Sequence, residues 1–223
     1  MTARVVAIVP MRHDSERVRG KNYRPLGGRP LFHHIIETLL ASPAVSKVAI
    51  DTDSEVIRDS ANEAFPDVEV LERPPHLRDG MTPMNDVLLH DVRRLEADLY
   101  LQTHSTNPLL RTTTVTSAIE RLLGDTESDS LFGVTRLQTR LWSADGTPLN
   151  HDRSVLIRTQ DLPPVYEENS CVYLFTRAGL ERHGNRIGER PILFEIPREE
   201  AWDIDEEVDF RVVEALYALR SEP

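Results

Sequence analysis

Cysteine, lysine and long apolar runs are scarce in this sequence. The 223 residues include one cysteine, Cys171, which excludes an internal disulfide framework and any metal site built from several thiolates. Cys171 opens an apolar stretch, and we expect it to be buried rather than nucleophilic. No apolar run approaches the ~20 residues that span a bilayer, and the apolar start of the chain is too short for a signal peptide. These absences predict one cytoplasmic domain over residues 1–223.

The charge balance excludes a second class of function. The formal net charge is -11 and the isoelectric point is about 5.2. A general nucleic-acid binder needs the opposite sign, because neutralising phosphates supplies most of its affinity. A small anionic ligand needs only a local positive pocket. Two of the 26 basic residues are lysines, Lys21 and Lys47, so a lysine at a place where arginine would serve is informative.

Strand and helix patterns alternate through the first 137 residues. Apolar runs predict strands at 4–9, 45–50, 68–71, 98–102 and 130–137, and helical spacing predicts helices at 31–42, 54–65, 84–95 and 113–123. This order predicts an α/β fold with a doubly wound, mostly parallel sheet, in which ligands bind beyond the carboxyl ends of the strands. The alternation is lost over 138–175, where we expect an inserted arm, and residues 208–219 predict a last helix.

A basic loop follows the first predicted strand. Residues 10–22 carry four basic side chains, together with Ser15 and Gly20, which suits a polyphosphate. The loop is not a Walker A motif, because Ser15 stands where glycine is needed, and no dinucleotide-binding G-x-G-x-x-G occurs. The alternative is a solvated loop whose basic groups pair with Asp14 and Glu16.

An acidic segment near the other end of the chain is the second candidate. In an extended Asp203-Ile204-Asp205, both carboxylates point to one face and could hold a Mg²⁺ ion while Ile204 packs beneath. The alternative is an acid-rich helix N-terminus, with Asp205 as its cap. Three further segments lie next to predicted strands. Arg73 and residues 104–111 each follow a strand, and residues 158–170 lead into one. Each is also compatible with an ordinary polar loop.

These segments, in this order, resemble the cytidylyltransferases that activate acidic sugars, a family that includes the CMP-sialic acid and CMP-3-deoxy-manno-octulosonate synthetases. The resemblance covers most of the chain. Its most specific part is Pro10-Met11-Arg12-x-x-Ser15-x-Arg17-x-x-Gly20-Lys21-Asn22. The later elements that resemble the sialate branch are Thr106-Asn107-Pro108-Leu109-Leu110-Arg111, Arg158-x-Gln160-x-Leu162-Pro163 and Asp203-Ile204-Asp205.

The resemblance implies transfer of CMP from CTP to a small acidic acceptor with release of pyrophosphate. It also implies a nucleotide-diphospho-sugar transferase-like fold and a homodimer built through a small arm at about 138–175. The implied nucleotide-binding residues are Arg12, Ser15, Arg17, Lys21, Asn22 and Arg73. The implied acceptor-binding residues are His104, Arg158, Gln160 and Asn169. Asp203 and Asp205 would bind Mg²⁺, and the implied catalytic residues are Arg12, Lys21 and Asp205.

The acceptor half of the resemblance is weaker than the nucleotide half. His104 stands where the family has glutamine, and Asn169-Ser170 stands where it has Asn-Gly. A sialic acid-like sugar acid therefore competes with a small phosphonate such as phosphonoformate as the acceptor. Two alternatives of other classes remain: a glycosyltransferase that uses D-x-D to hold a nucleotide sugar, and a non-catalytic nucleotide-binding protein. All cytidylyltransferase readings require the basic loop and the Asp203/Asp205 pair to meet around one triphosphate.

Overall fold

A seven-stranded sheet organises the chain. The computed structural model describes residues 3–15 and 17–220. The strands are Val5–Met11 (β1), Pro25–Leu26 (β2), Arg29–Pro30 (β3), Lys47–Thr52 (β4), Glu69–Glu72 (β5), Leu99–Gln102 (β6), Ser130–Leu137 (β7), Val165–Phe175 (β8) and Pro191–Glu195 (β9). The helices are Leu31–Leu40 (α1), Glu55–Ala64 (α2), Met84–Val92 (α3), Thr112–Leu123 (α4), Arg177–His183 (α5) and Glu207–Arg220 (α6).

The sheet is mostly parallel, as the alternation predicted. Its order is β5-β4-β1-β6-β8-β7-β9, and β8 is antiparallel to both of its neighbours while the other paired strands are parallel. The chain leaves β1 toward β4 and β5 and later returns to the other side of β1 with β6. This reversal is the topological switch point at which open α/β sheets bind ligands. β2 and β3 form a separate small hairpin.

Helices cover both faces of the sheet, because the central strands are apolar on both sides. All seven residues of β1 are buried. Three apolar clusters result. The first packs α1, α2 and α4 on one face, and the second packs α3 and α5 on the other. In the third, Ile204, Phe210 and Val213 pack against Leu26 and Leu31. That cluster ties the Asp203–Asp205 segment and α6 to the hairpin that follows the basic loop.

The predicted elements occur with shifts at their ends. The sequence predicted that the first strand ends at residue 9. In the structure β1 continues through Pro10 to Met11, and Pro10 lies in register with Asp51 of β4. Ser54 caps α2 through a hydrogen bond from the Ile57 amide, as its position predicted. The β2–β3 hairpin and α5 carry too few residues to give a periodic signal and were not predicted. None of the described helices is long and apolar enough to cross a membrane.

The predicted arm at 138–175 divides into two parts. Its last eleven residues, Val165–Phe175, form β8, which lies inside the main sheet between β6 and β7. The segment outside the sheet is therefore 138–164. It contains a bridge between Trp142 and Pro148 and one 3₁₀ turn, Thr159–Asp161. It also exposes apolar side chains, with Leu156 90% and Leu149 63% exposed.

Candidate active site

A cavity of about 390 Å³ opens at the carboxyl ends of β1, β5 and β6, at the switch point. Three of the strand-end segments singled out in the sequence line it, together with the acidic pair. The lining residues are Pro10, Met11, Arg12, Asp14, Ser15, Arg17, Lys21, Asn22, Arg73, Met84, His104, Ser105, Thr106, Asp203 and Asp205. Every nucleotide-binding residue implied by the resemblance therefore faces one space. We call it the nucleotide cavity.

The basic loop is held in shape by its own backbone and by Asn22. Gly20 has a φ of +64°, and a Cβ there would lie 2.7 Å from the Tyr23 ring, so the position strongly favours glycine. The 3₁₀ turn Lys21–Tyr23 begins directly after it. Asn22 is buried; its Nδ2 donates to the Arg12 carbonyl at 2.8 Å, and its Oδ1 accepts from Ser105 Oγ at 2.7 Å. Asn22 thus ties the loop to the end of β6.

Lys21 joins the two ends of the chain. Its Nζ donates to the carbonyl oxygen of Ile204 at 2.5 Å and lies 3.7 Å from Asp205 Oδ1. The Lys21 side chain is only 13% exposed, and this burial lowers its pKa against the raising effect of Asp203 and Asp205. Arg17 Nη2 also pairs with Asp205 Oδ1, at 2.6 Å. The loop and the acidic pair meet, as the cytidylyltransferase hypothesis requires.

Asp203 and Asp205 form a pair of hard oxygen ligands over a buried apolar residue. Ile204 is fully buried, as the extended reading of this segment predicted. Asp203 Oδ1 is buried without a hydrogen-bond partner, and burial raises the pKa of this carboxyl. Asp205 does not cap α6; the Asp209 carboxylate accepts from the amides of Asp205 and Glu206 instead.

The donor set fits Mg²⁺. Within residues 3–15 and 17–220, no three His, Cys, Asp or Glu side chains are grouped as a complete metal site. Mg²⁺ is usually held by one or two carboxylates plus substrate phosphates and water, so two aspartates suffice. The partnerless, buried Asp203 Oδ1 is the atom that such an ion would satisfy. Asp205 is half-exposed and turns to basic side chains in this structure.

A second cavity, of about 420 Å³, meets the first at the acidic pair. The two cavities share Asp203 and Asp205. The remaining lining residues are Thr135, Glu167, Glu168, Asn169, Ser170, Arg198, Ala201, Trp202 and Asp209. We call this space the acceptor cavity. The acidic pair therefore stands between a basic cavity and a neighbouring cavity in which Arg198 is the one cation among the described lining residues.

A β-bulge shapes the wall of the acceptor cavity. The β7–β8 register shifts between Phe132 and Val134, and a Cβ on Gly133 would lie 2.6 Å from Asn169 Oδ1. Asn169 is buried, donates to Thr135 Oγ1 at 3.1 Å and accepts from the Cys171 amide. Ser170 adopts a φ of +59°, a conformation that favours glycine.

His104 lines the nucleotide cavity as a neutral imidazole. Burial, together with nearby Arg186 and Lys21, lowers its pKa to about 3. Its Nε2 is buried without a partner among the described residues. His104, implied as an acceptor-binding residue, can therefore offer a neutral hydrogen-bonding group but no positive charge. The cation beside it is Arg186, which stacks 3.4 Å from the centre of the Tyr173 ring and contacts Gln102.

Arg158 and Gln160 do not join the others. Both lie in the exposed segment 138–164 and line neither cavity. The Arg158 guanidinium pairs with Asp161, with Nε at 2.7 Å, and its side chain is 73% exposed. Within one chain, these two predicted acceptor residues are thus apart from Asn169 and His104.

Several residues of the site escaped the sequence analysis. Arg198 and Trp202 line the acceptor cavity and precede the acidic pair without a recognisable spacing. Arg186 lines neither cavity, but its charge acts on His104, and it lies in a loop with no motif. Asp51 escaped notice as a partner of Arg73, although it comes directly after the predicted strand 45–50. Arg73 is 2% exposed, and its Nε donates to Asp51 Oδ1 at 2.5 Å. An aspartate directly after an apolar strand was the available signal. Cys171 is fully buried, as predicted, and burial raises the pKa of its thiol.

Comparison with known proteins places the chain beside cytidylyltransferases. A family model described as cytidylyltransferase matches residues 6–219. A protein of Legionella pneumophila named CMP-N,N'-diacetyllegionaminic acid synthase is 26% identical and covers 98% of both chains. An N-acylneuraminate cytidylyltransferase of Streptococcus agalactiae is 25% identical over 92% of this chain and 51% of its own. The structure of a CMP:2-keto-3-deoxy-manno-octonic acid synthetase complexed with CTP superposes with a TM-score of 0.75. It shares 16% identity and covers 98% of this chain and all of that one, which shows the common fold.

Proposed function

We propose, from the premise that this chain belongs to the cytidylyltransferase family, that it transfers CMP from CTP to an acidic sugar and releases pyrophosphate. One observation carries the proposal: Lys21 of the basic loop contacts the Asp203–Asp205 segment at the border between two cavities. A nucleotide in one cavity and an acceptor in the other would bring their reacting atoms together at the acidic pair. Such positioning is the main task of a phosphoryl-transfer site.

The order of elements along the sheet edge suggests how CTP lies. Arg73 follows β5, the outermost strand on one side, so the base would occupy that end. The loop after β1 is central, and Arg12, Ser15 and Lys21 would contact the phosphates. Asp203 and Asp205 lie toward β6, so the α-phosphate would be the part of CTP nearest to the acceptor cavity.

In this reaction the protein forms no covalent bond to the substrates, and it acts by positioning them and by stabilising charge. An acceptor hydroxyl oxygen attacks the α-phosphorus and gives up its proton to solvent, the bond from that phosphorus to the bridging oxygen breaks, and pyrophosphate leaves. Negative charge develops on the leaving group, where Arg12 and Lys21 would stabilise it. Arg17 pairs with the half-exposed Asp205 in this structure. Because the Arg17 side chain is 62% exposed, it has room to turn toward the phosphates when CTP binds. Asp203 and Asp205 would hold Mg²⁺, which supplies charge neutralisation at the phosphate oxygens.

The acceptor cavity favours a sugar acid. Five carboxylates line it, from Glu167, Glu168, Asp203, Asp205 and Asp209. Carboxylates accept hydrogen bonds, which suits a molecule with many hydroxyl groups. A small phosphonate carries several negative charges and few donors, so it would be repelled by the same lining. The relatives reported above are named for sugar acids, and the phosphonate alternative gains no support from them.

We further propose a homodimer formed through segment 138–164, in a cytoplasmic enzyme supplied with CTP by the cell. The support is the set of exposed apolar side chains on this segment: Trp142, Leu149, Val155, Leu156 and Ile157. A contact made there could bring Arg158 and Gln160 to the acceptor cavity of the second copy. That arrangement would reconcile their proposed acceptor role with their distance from the cavities of their own chain.

Pyrophosphate release tests the function. The purified chain is mixed with Mg²⁺, CTP and one of a panel of sialic, legionaminic and octulosonic acids, with phosphonoformate as a further acceptor. We expect release with CTP and at least one sugar acid, and far less with UTP, ATP or GTP. If CTP binds but pyrophosphate is released with none of the acceptors, the result would favour the non-catalytic protein. Transfer from a preformed nucleotide sugar would favour the glycosyltransferase.

A further inference from the structure

A buried group of three charged side chains lies beneath the base end of the nucleotide cavity. Asp51 is the fifth residue of β4, Arg73 follows β5, and Asp91 lies near the end of α3. Asp51 and Asp91 are fully buried, and Arg73 is 2% exposed. Arg73 lines the cavity, and so does Met84 at the start of the helix that carries Asp91. Such burial without complete pairing is expensive, so the group calls for an explanation.

The hydrogen bonds of this group are incomplete in a specific way. Arg73 Nε and Nη2 both contact Asp51 Oδ1, while Asp51 Oδ2 and both oxygens of Asp91 have no donor among the described residues. The two carboxyl groups are close enough to hydrogen-bond to each other once one of them is protonated. One proton on Asp91 would therefore form a hydrogen bond between the two carboxyl groups. The pair would then carry one negative charge, which faces the single positive charge of Arg73. Burial and the charge of Asp51 raise the pKa of Asp91 to about 9, in agreement with this arrangement.

We propose that Asp51 and Asp91 are positioning residues that orient Arg73 toward the base of the bound nucleotide and thereby set the preference for cytosine over uracil. The inference rests on the proposed function. Arg73 offers only hydrogen-bond donors. Cytosine presents acceptors at both O2 and N3, whereas N3 of uracil carries a hydrogen and opposes a donor. If the Arg73 guanidinium is held rigidly at the O2 and N3 edge of the base, it discriminates between cytosine and uracil. If the guanidinium rotates freely, it can avoid N3 and the discrimination is lost.

The surroundings of the pair determine its response to pH. Besides Arg73, the charged or titratable groups around the two carboxyls are His90, which faces Asp51, and Arg94, which faces Asp91. His90 in turn faces His76, Arg93 and Arg94. Burial lowers the pKa of His90, so it is neutral above pH 7. Between pH 7 and about 9, the proton on Asp91 is the one that changes. Its loss adds a second carboxylate that competes for the Arg73 guanidinium and turns it from the base.

Calorimetric titration with CTP and with UTP, each with Mg²⁺ and no acceptor, tests the inference. In the wild type we expect CTP to bind more tightly. Asp51→Asn should weaken CTP binding at least tenfold, about 1.4 kcal/mol, and bring the CTP:UTP ratio toward one. Asp91→Ala should do the same, and Asp91→Asn, which keeps a neutral donor beside Asp51, should recover most of the loss. Asp129→Asn is the control, because Asp129 binds loop amides at the far cavity of Thr176 and Arg190.

Structural damage is separated from positioning by two readouts. Thermal unfolding and circular dichroism report folding; if Asp91→Ala does not fold, the wild type and Asp91→Asn are compared from pH 7 to 10. The wild type should then bind CTP more weakly above pH ~9 than at pH 7, and Asp91→Asn should show a smaller loss. The affinity for CTP alone is followed here, because N3 of uracil also loses its hydrogen in this alkaline range. A folded Asp51→Asn protein with the wild-type CTP:UTP ratio overturns the inference, as does an identical pH profile for the wild type and Asp91→Asn. If the wild type itself shows no preference for CTP, it is the proposed function that fails.

Discussion

The contact between Lys21 and Ile204 gives the sharpest prediction. Replacing Lys21 by methionine keeps the length of the side chain and removes its charge. Two interactions disappear: the 2.5 Å hydrogen bond to the Ile204 carbonyl and the positive charge 3.7 Å from Asp205. The first is a charge-assisted bond at a site only 13% exposed, worth about 1.5–3 kcal/mol in the folded protein. The second is the charge that would stabilise departing pyrophosphate, for which about 2–4 kcal/mol is typical.

These magnitudes predict different effects on rate and on binding. The transition-state share should lower kcat by ~10²–10³, because pyrophosphate gains charge only as it leaves. The KM for CTP should rise much less, since Arg12 and Arg17 still face the phosphates. Steady-state pyrophosphate release at saturating acceptor measures both constants, and a melting curve reports the lost hydrogen bond.

The other lysine is a matched control. Lys47 pairs with Glu69 on the surface, where both side chains are about one-third exposed, and such a pair contributes ~0–1 kcal/mol. Lys47→Met removes the same charge from the chain but lies at the start of β4, away from both cavities. Its kcat should match the wild type. A Lys21→Met enzyme with kcat within about threefold of the wild type would refute the catalytic role of Lys21 and leave it a structural residue.

Four further predictions concern other residues of the structure. Asp203→Asn should abolish Mg²⁺-dependent pyrophosphate release while leaving the melting temperature near or above that of the wild type, because the buried Oδ1 of Asp203 has no partner to lose; a Mg²⁺ titration checks it. Ser170→Gly should raise the melting temperature by ~1–4 °C, since it relieves a left-handed serine. Leu156→Asp should shift the protein toward the monomer in light scattering, because Leu156 is 90% exposed on the proposed dimer segment. Asp91 binds its proton more strongly in the folded than in the unfolded protein. Its contribution to stability is therefore complete below about pH 4 and is lost as the pH rises to about 9. In denaturant unfolding, the free energy of unfolding of Asp91→Asn should decline less over this window than that of the wild type.

Local signals in the sequence were strong enough to predict most of the fold. β1 is a continuous apolar run because it is buried on both faces, and Ser54 marks the start of α2 because a hydroxyl there caps the helix. β8 was harder. Its first residues, Val165 to Glu168, are largely exposed and include two acids, so they do not form the continuous apolar run that marks a buried strand. The predicted arm at about 138–175 therefore includes residues that lie in the main sheet.

The candidate site was predictable to the extent that it follows strand ends. Lys21, Asn22 and Arg73 all come shortly after strands, and the carboxyl ends of parallel strands share one edge. The roles of His104 and Arg158 were harder to judge. Burial and neighbouring cations decide that His104 is neutral, and the course of segment 138–164 decides that Arg158 lies outside the cavities of its own chain.

The sequence alone therefore determined the alternation of elements, the basic loop and the acidic pair, because these depend on residues that are close along the chain. Only the tertiary structure decided what depends on distant residues. Lys21 and Ile204 are 183 positions apart along the chain, and packing of Ile204 and Phe210 against Leu26 and Leu31 brings them together. Burial then sets the charge of His104 and Asp91, because the energy of a charge depends on the solvent and the groups that surround it in space.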